Sequence, residues 1–378
     1  MIRIKRLFAL LTAVLLMLGC FVGCGSGEMR EMSTMEIVRD MGLGINLGNT
    51  FESCGMKLNS VTQYETGWGS PVITKEMIKG YAESGFGVLR VPVAWSNLMS
   101  GNYEISPEYL ARVNEVIDWA LEEDLYVIMN IHWDGGWFER FGKDEDKDEC
   151  MYKYERIWTQ LCKRFKGYGD KLIFESLNEE GVWEDIWNRY SQQGDKEKAF
   201  GLLNEINQKF VDIVRSSGGN NPKRHLLIAG YATDVTLTCD EAFKMPEDPI
   251  GRCAVSVHYY TPSTFAILER DAEWGKARTE WGTEADYAEL ENNMELMKTT
   301  FVDKGIPVII GEYGTSTKNK TDEMIRLYLS SVCRSAYTKG MCPVLWDITD
   351  VFYSRRDCEF MDKELLAELM AVKNEARN

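Results

Sequence analysis

Eight short apolar runs, rich in Val, Ile and Leu, recur along the chain at residues 43–47, 88–93, 126–131, 172–177, 226–229, 254–258, 307–310 and 343–346. Their starts lie roughly 43 residues apart on average, the length of one strand, one loop and one helix. Helical patterns fill the intervals. Ser106, Pro107 and Glu108 supply an N-cap, a proline at the first helical position and an early acid, and Leu110, Val113, Val116, Ile117 and Ala120 then fall on one face. Residues 74–82, 152–165, 199–214, 284–302, 321–337 and 362–372 read the same way, while the interval after residue 229 is short and its helix weak. Eight strands alternating with helices, with no break in composition, predict an α/β fold: one (β/α)8 TIM barrel over residues 34–378. An open doubly wound sheet would need a glycine-rich turn leading from the first strand directly into a helix. The segment from Gly42 to Gly48 lacks that spacing and runs into a long polar loop.

The first residues read as an address. Arg3, Lys5 and Arg6 precede an apolar stretch too short for a comfortable membrane span, and small residues follow, so residues 1–24 are expected to be a secretory signal. Phe21-Val22-Gly23-Cys24 resembles a bacterial lipobox, which would make Cys24 a lipid anchor and the only link to a membrane; Met17-Leu18-Gly19-Cys20 is a looser version. Residues 25–33 then form a short linker, and the protein is expected outside the cell, as a monomer. The remaining eight cysteines allow a disulfide or two, but their spacing suggests neither zinc nor redox chemistry. A net charge of -16 with no basic block excludes nucleic acid as a partner.

Catalysis in such a barrel belongs at the C-terminal strand ends. Those positions carry Asn46, Asn49, Arg90, His132, Asp134, Asn178, Glu179, Glu180, Tyr231, His258, Tyr260, Glu312, Trp346 and Asp347. The third histidine, His225, reads as a surface or helix-end residue. Two histidines without HExxH argue against a metal site, and no cofactor is expected. Asp144, Asp146, Asp148 and Glu155 fit four positions of a calcium loop, but Glu149 stands where that loop needs glycine, so a solvated acidic segment is expected. Carboxylates facing one another across a barrel mouth, without nucleotide or metal, suit acid/base and nucleophilic work on an acetal, as in glycoside hydrolysis. Trp68, Trp95, Trp133, Trp137, Trp183, Trp187, Trp274, Trp281 and Trp346 all fall at strand ends or in loops, where indole faces could stack on sugar rings.

Six segments resemble glycoside hydrolase family 5, the cellulase-type barrels, in order along the chain. They are Gly44-Ile45-Asn46-Leu47-Gly48-Asn49-Thr50, Leu89-Arg90-Val91-Pro92-Val93, Asn130-Ile131-His132-Trp133-Asp134, Phe174-Glu175-Ser176-Leu177-Asn178-Glu179, Val257-His258-Tyr259-Tyr260 and Ile310-Gly311-Glu312-Tyr313-Gly314. The resemblance implies that Glu179 is the acid/base and Glu312 the nucleophile. It further implies that Asn178 binds the sugar 2-hydroxyl, that Arg90 and Tyr260 orient the nucleophile, and that His132 and His258 are subsite histidines. Trp346 would be the platform under the reacting sugar; apart from the resemblance, Trp133 and Trp137 are expected as further substrate contacts.

Arg90 and Tyr260 beside Glu312 should lower its pKa, while Glu180 and Trp183 beside Glu179 should raise that of the acid. Glu175, on the face of Glu179 but lower in the barrel, reads as a buried partner for a cation. Two departures stand out: Glu180 occupies a place where many relatives have proline, and Trp133 that of a second histidine. The expected activity is a retaining endo-β-1,4-glucanase acting on cellulose or related β-glucans. Xyloglucanase, lichenase or mannanase action, or a catalytically weak cell-surface glycan-binding lipoprotein, are the alternatives.

Overall fold

A computed structural model describes residues 27–376. The expected signal, with Cys20 and Cys24, lies outside them. The chain forms eight parallel strands: β1 (Gly44–Asn46), β2 (Val88–Val91), β3 (Tyr126–Asn130), β4 (Leu172–Glu175), β5 (Leu226–Ala229), β6 (Cys253–Tyr259), β7 (Val308–Tyr313) and β8 (Cys342–Leu345). They pair in chain order, and β1 meets both β2 and β8, Gly44 standing opposite Val88 on one side and Val344 on the other, which closes the barrel.

Helix α1 (Thr34–Met41) precedes the first strand, its N-terminus fixed by a capping box between Ser33 and Glu36. Then α2 (Lys75–Glu83), α3 (Pro107–Glu122), α4 (Lys147–Phe165), α5 (Lys196–Ser216), α6 (Glu284–Thr300), α7 (Asp322–Thr338) and α8 (Lys363–Val372) wrap the outside. Ser106 caps α3 through Tyr109 N, with Pro107 at the first position, as its sequence predicts. The weak interval after β5 holds only the four-residue helix Val235–Thr238. Helix α4 begins before its apolar pattern does, because Asp148 and Glu149 in the first turn complement the positive end of the helix dipole.

Alternation along the strands sorts their side chains into layers. Outward residues such as Leu89, Val91, Val127, Met129, Phe174, Ile228 and Ile310 join the helices in the main core. Inward residues at the bottom, Val88, Ile128, Ile173, Leu227, Ile309 and Val344, meet Ile37, Val38 and Met41 of α1, which plugs that end. One step higher on the same faces the interior turns polar, with Asn46, Arg90, Asn130, Glu175 and Ser256 all fully buried. The barrel floor is therefore apolar, and the polar layer above it finds its partners within itself.

His225 corrects its expected place at the surface. It is fully buried just before β5, its Nδ1 lies 2.9 Å from Thr34 Oγ1, and burial pushes its pKa down to about 4. The acidic segment binds as separate pairs, Asp144 with Lys198, Asp146 with Arg140 and Glu155 with Lys209, so those carboxylates do not converge. All eight cysteines among the described residues are free thiols. No helix among these residues is long and apolar enough to cross a membrane.

Candidate active site

Strict alternation would turn Glu312 away from the barrel mouth, because Ile309 faces in and Ile310 faces out. A β-bulge corrects this. In the pairing with β6, Val257 stands opposite Ile310 but His258 stands opposite Glu312, so Gly311 is an extra residue; the register with β8 shifts at the same level. The insertion returns Glu312 to the inner face, and Tyr313 points outward into the core. A Cβ on Gly311 would lie 3.0 Å from Ser256 Oγ and 3.1 Å from His258 Nε2, so this close packing favours glycine.

Arg90, rising from β2, organises everything beneath the mouth. Its Nε donates to Glu175 Oε2 at 2.7 Å, its Nη1 to Glu312 Oε1 at 2.8 Å and to Asn46 Oδ1 at 3.0 Å, and its Nη2 to Asn178 Oδ1 at 2.9 Å. Glu175 takes a further hydrogen bond from Ser256 Oγ at 2.8 Å. The buried cation thus has two carboxylate partners, which hold its pKa up against the desolvation that opposes it. Glu175 is the buried ionic partner that its strand position predicts.

Tyr260 donates its hydroxyl to Glu312 Oε2 at 2.9 Å, leaving Glu312 bracketed by two donors. Across the mouth, Glu179 Oε1 lies 2.8 Å from His258 Nδ1, and the same nitrogen is 3.7 Å from Glu312 Oε2. The ligating atoms of Glu179, His258 and Glu312 all fall within 4.8 Å of one another. Inverting glycosidases hold their carboxyl groups about 6.5–9.5 Å apart to admit a water, and retaining ones about 5–5.5 Å. The observed approach suits the closer arrangement.

Comparison with known proteins identifies the family. Residues 48–351 match the cellulase family, glycosyl hydrolase family 5. The chain belongs to that family. It is 38% identical over 325 residues to an endoglucanase A from Ruminococcus albus, covering 85% of each chain. Among solved structures, it resembles a broad specificity endoglucanase from an uncultured bovine rumen ciliate at 35% identity, with a TM-score of 0.81 over 91% of this chain and 99% of that one. A family 5 lichenase from Caldicellulosiruptor sp. F32 gives 31% identity and a TM-score of 0.83, over 92% and 97% of the two chains.

In this family 5 barrel the two carboxyls depart from the expected directions of shift. Burial pushes the Glu312 carboxyl up despite the pull of His258 and Arg90, whereas at Glu179 the opposing effect of burial is outweighed by the hydrogen bond and charge of His258 together with Arg90 and Arg189, which draw it down. Glu312 is almost wholly enclosed and also feels the charge of Glu179, while half of the Glu179 side chain reaches solvent. Glu180 is pushed up to about 8, first by burial and then by the charge of Glu179, and its backbone oxygen accepts from Ala232 N at 2.7 Å.

The remaining expected residues divide. His132 is buried beside Asn130, whose Nδ2 reaches the histidine Nδ1 at 3.3 Å, and its ring lies parallel to Trp346 at 6.0 Å between centroids. Desolvation, with Arg90 and His258 nearby, keeps His132 neutral by pressing its pKa well down. Because Nδ1 accepts, the proton belongs on Nε2. Trp133 is exposed and Trp346 half-buried, so both keep faces that a sugar could cover.

Trp137 does not. Its ring stacks on Phe138 at 3.8 Å, its Nε1 donates to Asp134 Oδ2 at 2.7 Å, and only 8% of it is exposed, which makes it a strut for the loop that carries Trp133. Trp95, Trp183, Trp187 and Trp281 are likewise buried, which corrects the expectation that loop tryptophans gather as sugar platforms. Long strand-end loops in a barrel build a second apolar layer, and position in a loop does not distinguish its members from an open face.

Sequence reasoning missed Asn130 as the partner that sets the His132 tautomer. It also passed over Arg355, a fully buried guanidinium behind Trp346. Asn130 was visible as a polar residue ending an apolar strand. Arg355 lies in a turn and carried no signal.

Proposed function

We propose that the chain is an endo-acting β-1,4-glucanase that cleaves with retention, with Glu312 as nucleophile and Glu179 as acid/base. The observation that carries the reading is the close approach of these two carboxyls, with two donors on one and a histidine on the other. In the first step a Glu312 oxygen attacks the anomeric carbon, the bond to the leaving sugar breaks, and the Glu179 proton passes to the departing oxygen. In the second, Glu179 takes a proton from water as that water attacks the same carbon and releases the Glu312 carboxylate. Two inversions retain the β configuration.

The reaction starts with the proton on Glu179 and with Glu312 ionised. His258 Nδ1 stands between the two carboxyls, 2.8 Å from Glu179 Oε1 and 3.7 Å from Glu312 Oε2. Asn178 spends its Oδ1 on Arg90, so its Nδ2 is the group left to donate to the 2-hydroxyl of the sugar. Trp346 forms the floor under that sugar, and Trp133 takes a neighbouring unit.

Similarity to a broad specificity endoglucanase and to a lichenase supports a cleft that accepts both β-1,4 and mixed-linkage glucans. The N-terminal address supports export and a lipid at Cys24.

The test is reducing-end release from soluble β-1,4-glucan by wild type, Glu179→Gln and Glu312→Gln, with the anomer of the first product read by NMR. Wild type should yield the β-anomer, and each variant should lose at least about a thousandfold in kcat on the natural substrate. An aryl glycoside, whose leaving group needs no proton, should restore the first step for Glu179→Gln alone. An α-anomer as first product would sink the retaining reading.

A further inference from the structure

After β8 the chain makes a small hairpin, Tyr353–Ser354 pairing with Glu359–Phe360, and Arg355 stands in its turn. Arginine in a turn normally reaches solvent, yet this one is fully buried. Its Nη2 donates to Gly48 O at 2.6 Å, and its Nη1 donates to Ser70 Oγ at 2.6 Å and Thr50 Oγ1 at 2.8 Å. One guanidinium therefore joins the hairpin after β8 to the loop after β1 and to the segment before α2.

Gly48 is the point where this clasp meets the cleft. Its N–H donates to Asp347 O at 3.0 Å, and a Cβ there would fall 2.6 Å from that oxygen and 3.0 Å from Trp346 Cζ2. The indole thus rests on the Gly48 backbone, which Arg355 holds from below.

We propose that Arg355 is a positioning residue for the sugar-binding face of Trp346, acting through Gly48; this rests on the proposed role of Trp346 as the platform under the reacting sugar. A lysine cannot replace it, because one ammonium on a flexible stem does not span three acceptors on two loops as the planar fork does.

The test is a double-mutant cycle on soluble β-1,4-glucan with Arg355→Lys, Trp346→Ala and the pair, in the full chain. Arg355→Lys should lower kcat/KM about tenfold in the wild-type background and less than about twofold in Trp346→Ala. Arg224→Lys is the control for burial alone. Arg224 is also fully buried, but it binds main-chain carbonyls at the bottom of the barrel, such as Leu172 O at 2.7 Å and Phe165 O at 2.9 Å. It should lower the thermal midpoint and leave kcat/KM of the folded enzyme unchanged.

An equal loss from Arg355→Lys in both backgrounds, or none in wild type, overturns the inference while the platform survives. If Trp346→Ala itself keeps full activity, the platform reading fails and takes this inference with it. Should Arg355→Lys not fold, Gly48→Ala carries the test, since its added methyl displaces the same indole with the guanidinium intact; full activity in Gly48→Ala overturns the proposal.

Discussion

Arg90 divides one positive charge between two carboxylates, Glu175 below and Glu312 above, and the three together remain net negative when all are ionised. This division keeps Glu312 within reach of protonation: a cation serving it alone would hold its pKa lower. Glu175→Gln keeps the shape and an acceptor for Arg90 Nε but removes the competing charge. The acid limb of kcat/KM, which follows ionisation of Glu312 in the proposed mechanism, should then move to lower pH by about one pH unit. A pH profile that stays in place, or moves to higher pH, would show that Arg90 is not shared in this way. At Glu179 burial is opposed by the hydrogen bond and charge of His258 and by the charges of Arg90 and Arg189, which together draw the carboxyl down. The sequence motifs identified both carboxyls but assigned each the opposite direction of shift. Those directions depend on how burial and the surrounding charges balance at each group, and two glutamates at strand ends look alike in one dimension.

Among the elements, β7 shows how much a single extra residue can do. Its bulge at Gly311 changes the parity of the strand, so that an apolar outward position is followed by an inward glutamate two residues on. Gly311→Ala places a methyl against Ser256 Oγ and His258 Nε2, and the histidine that contacts Glu179 must give way. The expected result is a loss in kcat on the order of tenfold to a hundredfold, with secondary structure retained by circular dichroism. Wild-type kcat in a folded Gly311→Ala would mean that the histidine position is not critical. The eight strands, most helices and the strand-end polar set were legible because period-two apolar runs, caps and spacing are local signals. The bulge was not, since register is a property of three paired strands. The tryptophans failed for a related reason: Trp137 and Trp133 stand four residues apart in one loop, yet one packs on Phe138 and the other is open.

For the whole molecule, the carboxylates that perform no chemistry still decide where in pH the barrel is most stable. Asp248 is held down to about 2 by Arg215 despite the opposing effect of burial, and Asp286 is held low by Arg278; both add stability as pH rises from strongly acid conditions. Glu52 and Asp347 do the opposite. Each is buried beneath the loops at the mouth and raised to about 7, chiefly by desolvation. In the unfolded chain they ionise near their ordinary values of about 4.3 and 3.9. Below about pH 4 both states hold these protons and the two groups are neutral in effect. Between about pH 4 and pH 7 the unfolded chain has released protons that the folded chain keeps, so each rise in pH favours unfolding; above about 7 both states are ionised and the loss is complete. Repulsion within a chain of net charge -16 adds to the same slope. The thermal midpoint should therefore peak near pH 4–5 and fall by on the order of 5 °C towards pH 7.5. Asp347→Asn keeps the side-chain oxygen that accepts from Phe352 N at 2.9 Å and Tyr353 N at 3.2 Å, while removing the titrating proton. Its midpoint should fall less steeply over that range. A midpoint that climbs steadily to pH 7.5 in wild type, or a slope unchanged in Asp347→Asn, would show that these buried acids ionise at their ordinary pH within the folded barrel.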